Sequence, residues 1–327
     1  MPNKTSITRP LGIAVAGLGR RGLFHLERLL LRDDCKVVVG CDPLAAARER
    51  AAGLVPHCVG SFAEVLHDPK VDIIWIAVTS HRQFALARQA LLADRDVVVE
   101  TPVADRYDEC QELQRLAISR GKTIVPLLPR RFDEDFRAVD GVVASGDIGP
   151  LWSIERTIWQ LGPTDRELEL DAGDSVRNAL LRVFGLVDQV LRLAGGLPTE
   201  VWCRLRSHPG AAQVLAGLQL QVNYHSGPTI WLNYAWSTPA VLDTGWRIQG
   251  AAGSFVDGVM STATASGELI DVPRTPPELD PSAFHNAVFC YLHQTGPVPG
   301  SLEDVGAVLR VLEAAANSVR SGERTEL

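Results

Sequence analysis

Between residues 11 and 125, short apolar runs alternate with helix-patterned stretches, and this alternation limits the fold more than any other feature of the chain. The runs are LGIAVAG, KVVVGCD, VDIIWIAV, RDVVVE and KTIVPLL. Each is rich in Val and Ile, the pattern of strands covered on both faces. The stretches between them, 22–32, 43–53, 82–93 and 107–120, read as helices. In the last of these, Cys110, Leu113, Leu116 and Ala117 recur at helical spacing. Strand–helix alternation predicts parallel strands joined by right-handed crossovers, hence an α/β, doubly wound, Rossmann-type domain.

After about Pro126 the pattern changes. A helix is expected over 133–145, then the strand LWSIERTIW, then one long helix over 175–193 stopped by Gly195-Gly196. The strand-like runs EVWCRLRSH, GLQLQVNYH, TIWLNYAW and GWRIQGAAGSFVDG then follow without helices between them. NYHSGPTIW reads as a hairpin around Ser226-Gly227. Consecutive strands imply a mainly antiparallel sheet, so residues 127–327 form an α+β domain beside an N-terminal domain of 1–126. A closing helix over 302–320 carries Val305, Val308, Leu309, Leu312 and Ala316 on one face, and it can pack back on the N-terminal domain.

Charge and cysteine usage narrow the function classes. The net charge is −7, and no Lys/Arg block occurs, so neither nucleic acid nor an anionic membrane is expected as a partner through bulk charge. The cysteines at 35, 41, 58, 110, 203 and 290 form no CxxC pair and no metal-ligand spacing with histidine, so no metal site is expected. The stretch MPNKTSITRP is polar and leads into a strand, and the apolar run 71–78 is too short to span a bilayer. The expectation is a reducing, cytoplasmic compartment.

The first apolar run leads into Gly17-Leu18-Gly19-Arg20-Arg21-Gly22, a GxGxxG between a strand and a helix. Gly17 suits the tight turn, Gly19 allows the backbone to approach a pyrophosphate, and Gly22 allows helix and strand to pack closely. The helix N-terminus then offers N–H groups to phosphate. Asp42 closes the second strand, 23 residues beyond Gly19, close to the spacing of the acidic residue that binds the adenosine ribose. A carboxylate there disfavours a 2′-phosphate, so NAD(H) is expected over NADP(H). Arg20 and Arg21 temper this, since either could reach the pyrophosphate or a 2′-phosphate. The rival reading is a Rossmann-like frame whose glycines serve only the turn.

Taken together, AGLGRRG, GCDP, VDIIWIAVTSHRQFALARQALLADRDVVVETP, PRRFDEDFRAV, ASGDIGPLWSIE and EDVGAVLRVLEAAANSVRSGE resemble the glucose–fructose oxidoreductase, inositol dehydrogenase and rhizopine-catabolism family (Gfo/Idh/MocA). The resemblance covers nearly the whole chain. It implies a second domain whose large open sheet floors the substrate site and often forms the oligomer contact, here a homodimer or homotetramer. It also implies a small-molecule substrate, typically a sugar or polyol, and it places Val78, Thr79, His81, Glu100 and Thr101 beside the cofactor together with the glycine turn and Asp42. The chain departs from the family where its chemistry resides. Glu-Lys-Pro becomes Glu100-Thr101-Pro102, the helical Asp becomes Leu181, and the His becomes Gly185 when Asp188 is aligned with the final aspartate. Ser175-Val176-Arg177 replaces a glycine run, Pro129 an asparagine, and Gln83 a second histidine, with His81 where members often have asparagine. No histidine occurs between His81 and His208, so no change of register restores it.

Substitutes are few. Arg130 and Arg131 follow the fifth strand and could bind a carboxylate or phosphate, or pair with Asp133 or Glu134. Arg177 could face a ligand or pair with Asp171 or Asp174, and Tyr107 could offer a hydroxyl. Tyr224 and His225 stand beside a hairpin. Trp152, Trp159, Trp231 and Trp236 read as core or interface aromatics rather than sugar platforms, and His25 as a surface or packing residue. Two functions follow: an oxidoreductase with an atypical site, or a non-catalytic NAD(H)-binding sensor, regulator or inactive partner of an active paralogue.

Overall fold

The computed structural model describes residues 9–161, 175–208, 211–238, 242–264, 266–278 and 280–327. It divides into two compact units: Met1–Leu128 with Asp280–Gly306, and Pro129–Leu279 with Ala307–Leu327.

The first unit is built on β1 (Leu11–Ala16), β2 (Cys35–Cys41), β3 (Cys58–Val59), β4 (Ile73–Ile76), β5 (Asp96–Glu100) and β6 (Ile124–Leu127). Their order is β3-β2-β1-β4-β5-β6, and every pairing is parallel. The order reverses between β1 and β4, which makes the crevice at the C-terminal ends of these strands the ligand edge. The crossovers are α1 (Arg20–Leu29), α2 (Ala45–Ala51), α3 (Phe62–His67), α4 (Ser80–Leu92) and α5 (Tyr107–Arg120). Helix α1 buries Gly22, His25, Leu26 and Leu29, a single stripe at helical spacing. It begins two residues earlier than its apolar pattern, because Gly19 is the N-cap. Helix α5 stops at Gly121, whose φ of 60° is left-handed.

The second unit opens with a 3₁₀ turn (Pro129–Phe132) and α6 (Glu134–Ser145). Its strands are β7 (Leu151–Leu161), β8 (Glu200–His208), β9 (Ala211–Asn223), β10 (Thr229–Thr238), β11 (Leu242–Gly250), β12 (Gly253–Val256), β13 (Val259–Ala263), β14 (Leu269–Pro273) and β15 (Thr325–Glu326). They form one sheet in the order β14-β13-β12-β11-β7-β10-β9-β8-β15. Pairing is antiparallel except between β7 and β10. Ile154, Ile158, Leu218, Leu220, Val222, Ile230 and Leu232 are buried, while their neighbours Glu155, Trp159, Gln219, Gln221 and Trp231 are partly or fully exposed, so one face is covered and the other open.

The single helix expected over 175–193 is two: α7 (Ser175–Leu181) and α8 (Phe184–Ala194). The Val183 N–H bonds to Leu180 three residues back instead of four, which tightens the turn and restarts the helix. Two further helices follow the strands. Helix α9 (Ala283–Leu292), absent from the sequence reading, belongs to the first unit, and α10 (Leu302–Ser321) begins in the first and ends in the second. Among the described residues no helix is long and apolar enough to cross a membrane.

Candidate functional site

The glycine turn after β1 separates structural from functional need. Gly17 has φ +93°, and a Cβ there would lie 2.4 Å from the Ala77 carbonyl oxygen. A Cβ on Gly22 would lie 1.7 Å from the Gly17 carbonyl oxygen. Both glycines are demanded by packing alone. Gly19 is different: nothing lies within 4 Å of its Cβ position and its φ is −76°, so the fold itself would accept a side chain there. It caps α1, whose first turn holds no acidic residue and carries Arg20 and Arg21, both exposed. The result is an open, positively biased helix N-terminus at the ligand edge.

Asp42 stands beside this turn, just past β2, and is only 9% exposed. Its Oδ2 accepts the Leu18 N–H at 2.8 Å and its Oδ1 the Leu44 N–H at 2.9 Å. The carboxylate therefore ties the glycine turn to the end of β2, which leaves only its remaining lone pairs for a ligand. Arg48, which the sequence reading passed over, donates Nη1 to the Asp42 and Pro43 carbonyls at 2.7 and 2.9 Å. Its signal in the sequence was its position one helical turn into α2.

On the other side of β1, Val78 and Thr79 follow β4, and Thr79 is the N-cap of α4. Val78 Cγ1 lies 3.0 Å from the Gly17 Cβ position, so this loop forms a wall of the turn. His81 is exposed on the first turn of α4, and Gln83 is buried. Glu100 ends β5 and is 7% exposed. Its Oε1 accepts from His25 Nε2 at 2.8 Å, and Arg21 Nε lies 3.8 Å away. His25 is thus not a surface residue, because the apolar stripe of α1 carries it inward onto Glu100. Arg21 leans toward β5. Thr101 Oγ1 donates to the Leu127 carbonyl at 2.7 Å, and the Thr101-Pro102 peptide is cis. The Thr101 hydroxyl is thus directed into the chain's own sheet. Tyr107 packs its ring on Gly306, and its hydroxyl accepts from Gln111 at 2.9 Å.

In the second unit the two adjacent arginines have different fates. Arg131 forms a buried, two-pronged pair with Asp188, at 2.8 and 2.6 Å, rather than with Asp133 or Glu134. Arg130 faces Asp133 at 3.4 Å and stays partly exposed, while its carbonyl accepts from Gln189 at 2.5 Å. Burial pushes the Asp133 carboxyl up, with Arg130 opposing. The Arg130 stem lies over Gly185: a Cβ there would meet Arg130 Cδ at 2.7 Å. Leu181 ends α7, half-buried, and Arg177 is half-buried in the same helix. Asp171 and Asp174 lie outside the described residues. The Tyr224 hydroxyl is buried without a partner among the described residues, and burial raises its pKa, whereas His225 is exposed. Trp152, Trp159 and Trp231 are 59, 40 and 41% exposed, so they are not core residues of this chain. The Trp236 side chain lies outside the described residues.

A glycine turn at a sheet's switch point, capped by a helix and braced by an acidic residue after the next strand, defines a dinucleotide-binding α/β protein. Residues 11–127 match the model of the Gfo/Idh/MocA oxidoreductase family with an NAD-binding Rossmann fold. It is 30% identical over 148 residues to the uncharacterized oxidoreductase YhhX of Escherichia coli K12, covering 44% of this chain and 43% of that one. It is also 30% identical over 142 residues to trans-1,2-dihydrobenzene-1,2-diol dehydrogenase of Bos taurus (43% and 42%), and 27% over 145 residues to an inositol 2-dehydrogenase of Salmonella typhimurium (42% and 43%). The chain spans about half the length of the curated relatives it matches. Whole-chain likeness is to solved structures. An NAD-binding protein from Listeria innocua has a TM-score of 0.82 at 24% identity, covering 97% of each chain. An oxidoreductase from Bacillus cereus has 0.84 at 22%, covering 97% of this chain and 98% of that one. At these identities the likeness is one of fold.

Proposed function

We propose that this protein is an NAD(H)-dependent dehydrogenase or reductase of a sugar, polyol or related small molecule, with acid–base groups unlike those of its family. The observation that carries the reading is Gly19. The fold requires Gly17 and Gly22 but leaves open space at Gly19, and that space is what a pyrophosphate needs to reach the α1 N-terminus. Asp42 favours a ribose with free hydroxyls, and the lean of Arg21 toward Glu100 takes it away from a 2′-phosphate. Bound there, a nicotinamide would supply hydride exchange. The names of the dihydrodiol and inositol dehydrogenases support a polyhydroxy substrate. We also read the open sheet face bearing Trp159 and Trp231 as the contact of a homo-oligomer.

The second reading, a non-catalytic NAD(H)-binding sensor, regulator or inactive partner, draws support from two positions. Thr101 spends its hydroxyl on Leu127, and Arg130 fills the space over Gly185. Turnover separates the readings. Reduction of NAD by any member of a sugar and polyol panel supports the enzyme. Saturable NADH binding with no turnover across the panel supports the sensor.

A further inference from the structure

Three polar side chains of the first unit form a buried chain that the glycine turn does not explain. Glu100, His25 and His285 are 7, 2 and 1% exposed. His25 Nε2 lies 2.8 Å from Glu100 Oε1, and His25 Nδ1 lies 3.0 Å from His285 Nε2. With Glu100 as a carboxylate and both imidazoles neutral, one arrangement of protons satisfies the network. His25 donates from Nε2, accepts at Nδ1 from His285 Nε2–H, and leaves His285 Nδ1 as a bare acceptor. That nitrogen has no partner among the described residues. Trp75 stacks on His285 at 5.6 Å and 11°, and Phe24 and Phe284 also pack their rings against it.

The charged groups around the chain come from three places. Arg21 and Arg28 stand on α1, and Arg32 follows it, paired to Asp34 at 2.7 Å. His293, just past α9, lies 3.6 Å from Asp34. Burial, together with His25, Arg28 and Arg32, holds His285 down at about 3, so at neutral pH it is an uncharged hydrogen-bond donor.

A buried three-residue network is costly unless it fixes something. What it fixes is the carboxylate of Glu100. The glycine turn and Asp42 place the pyrophosphate and adenosine over β1 and β2, so the nicotinamide half of a dinucleotide must cross toward β4 and β5. Glu100 ends β5. Its Oε1 is occupied by His25, which settles where the negative charge stands. The nicotinamide ring is cationic when oxidised and neutral when reduced, so a fixed carboxylate at this end acts on only one redox form.

We propose that Glu100 selects the redox state of the cofactor, favouring NAD⁺ over NADH by its charge, with His25 and His285 as the positioning residues that hold it. The inference rests on the dinucleotide reading above. The test is the ratio of NAD⁺ to NADH dissociation constants of the full chain, measured by calorimetry and by competition against NADH fluorescence. In Glu100→Gln the ratio should move toward NADH by about tenfold, the scale of one charge pair in a partly desolvated site. His285→Leu should move it the same way but less, because the carboxylate remains and only its anchoring is lost. Arg21→Gln, at an exposed position, should move it toward NAD⁺, since it removes the cation 3.8 Å from Glu100. Loss of pyrophosphate contact by Arg21 would weaken both forms equally and leave the ratio unmoved. If both nucleotides bind and the ratio stays within about twofold in Glu100→Gln, the inference is overturned. If that variant does not fold, the Arg21→Gln ratio decides by its direction: toward NAD⁺ supports the inference, unchanged or toward NADH overturns it. Binding of neither nucleotide to the unaltered chain overturns the dinucleotide reading itself.

Discussion

Both oxygens of Asp42 are engaged by backbone N–H groups, at Leu18 and Leu44, so a single side chain serves the turn before any ligand arrives. Asp42→Ala should leave these donors without their acceptor and cost about 2 kcal/mol, read as a lowered midpoint in thermal unfolding. It should also weaken NADH, and it should do so more than NADPH, because the repulsion of a 2′-phosphate disappears with the carboxylate. A variant with an unchanged midpoint would show that the two hydrogen bonds contribute nothing. At this scale the sequence was partly legible. GxGxxG and Asp42 are local signals with fixed spacing. His25 was not legible, because its partners lie 75 and 260 residues away in the chain. Arg130 over Gly185 is a contact of the same non-local kind.

The longer elements of the first unit follow their periodicity, since buried parallel strands and one-striped helices both leave strong patterns, whereas the two-residue β3 and six-residue α3 were too short to leave one. Helix α9 escaped because AFHNAVFCYL has scarcely a polar face, and a short apolar stretch of that kind does not declare helix or strand. The α7–α8 break escaped because it turns on one hydrogen bond at Val183. Two predictions belong here. Asp188 anchors α8 to the 3₁₀ turn through Arg131, with both side chains under 10% exposed. Asp188→Asn, which takes the carboxylate from a buried guanidinium, should cost about 3–5 kcal/mol in denaturant unfolding, and Arg131→Met with Asp188→Leu should cost less than the single change. If the double variant is the less stable, the pair contributes more than it costs to bury.

His285 ties α9 to α1 through His25, and its depressed pKa carries a pH signature. The unfolded chain takes up a proton on this residue below about 6.5, and the folded chain does so only near 3. The contribution is therefore intact above the unfolded value and is lost as pH falls from there toward 3. Between pH 6 and 4 the unfolding free energy should fall with a component approaching about 1.4 kcal/mol per pH unit. His285→Phe keeps a ring against Trp75 and removes that component. Parallel stability curves for the two proteins would show that His285 titrates alike in both states.

Across the whole molecule, a Rossmann-type unit and a nine-stranded, one-face-covered sheet were both legible as classes, because alternation and its loss are long-range averages over many residues. The meander of β12, β13 and β14 was less so, since its strands are short and partly exposed. What no pattern disclosed is which groups act on a substrate. Function in this chain therefore begins with the dinucleotide. The measurement that tests it most directly is a titration of the full chain with NADH, alongside Gly19→Val. The unaltered protein should show saturable quenching of its tryptophan fluorescence at micromolar NADH. The expected Gly19→Val variant folds, with its midpoint lowered by no more than the roughly 1 kcal/mol of a poorer N-cap, and binds at least about tenfold more weakly, since a side chain there enters the ligand's space. Equal NADH affinity in the two proteins, or none in either, would contradict the dinucleotide reading.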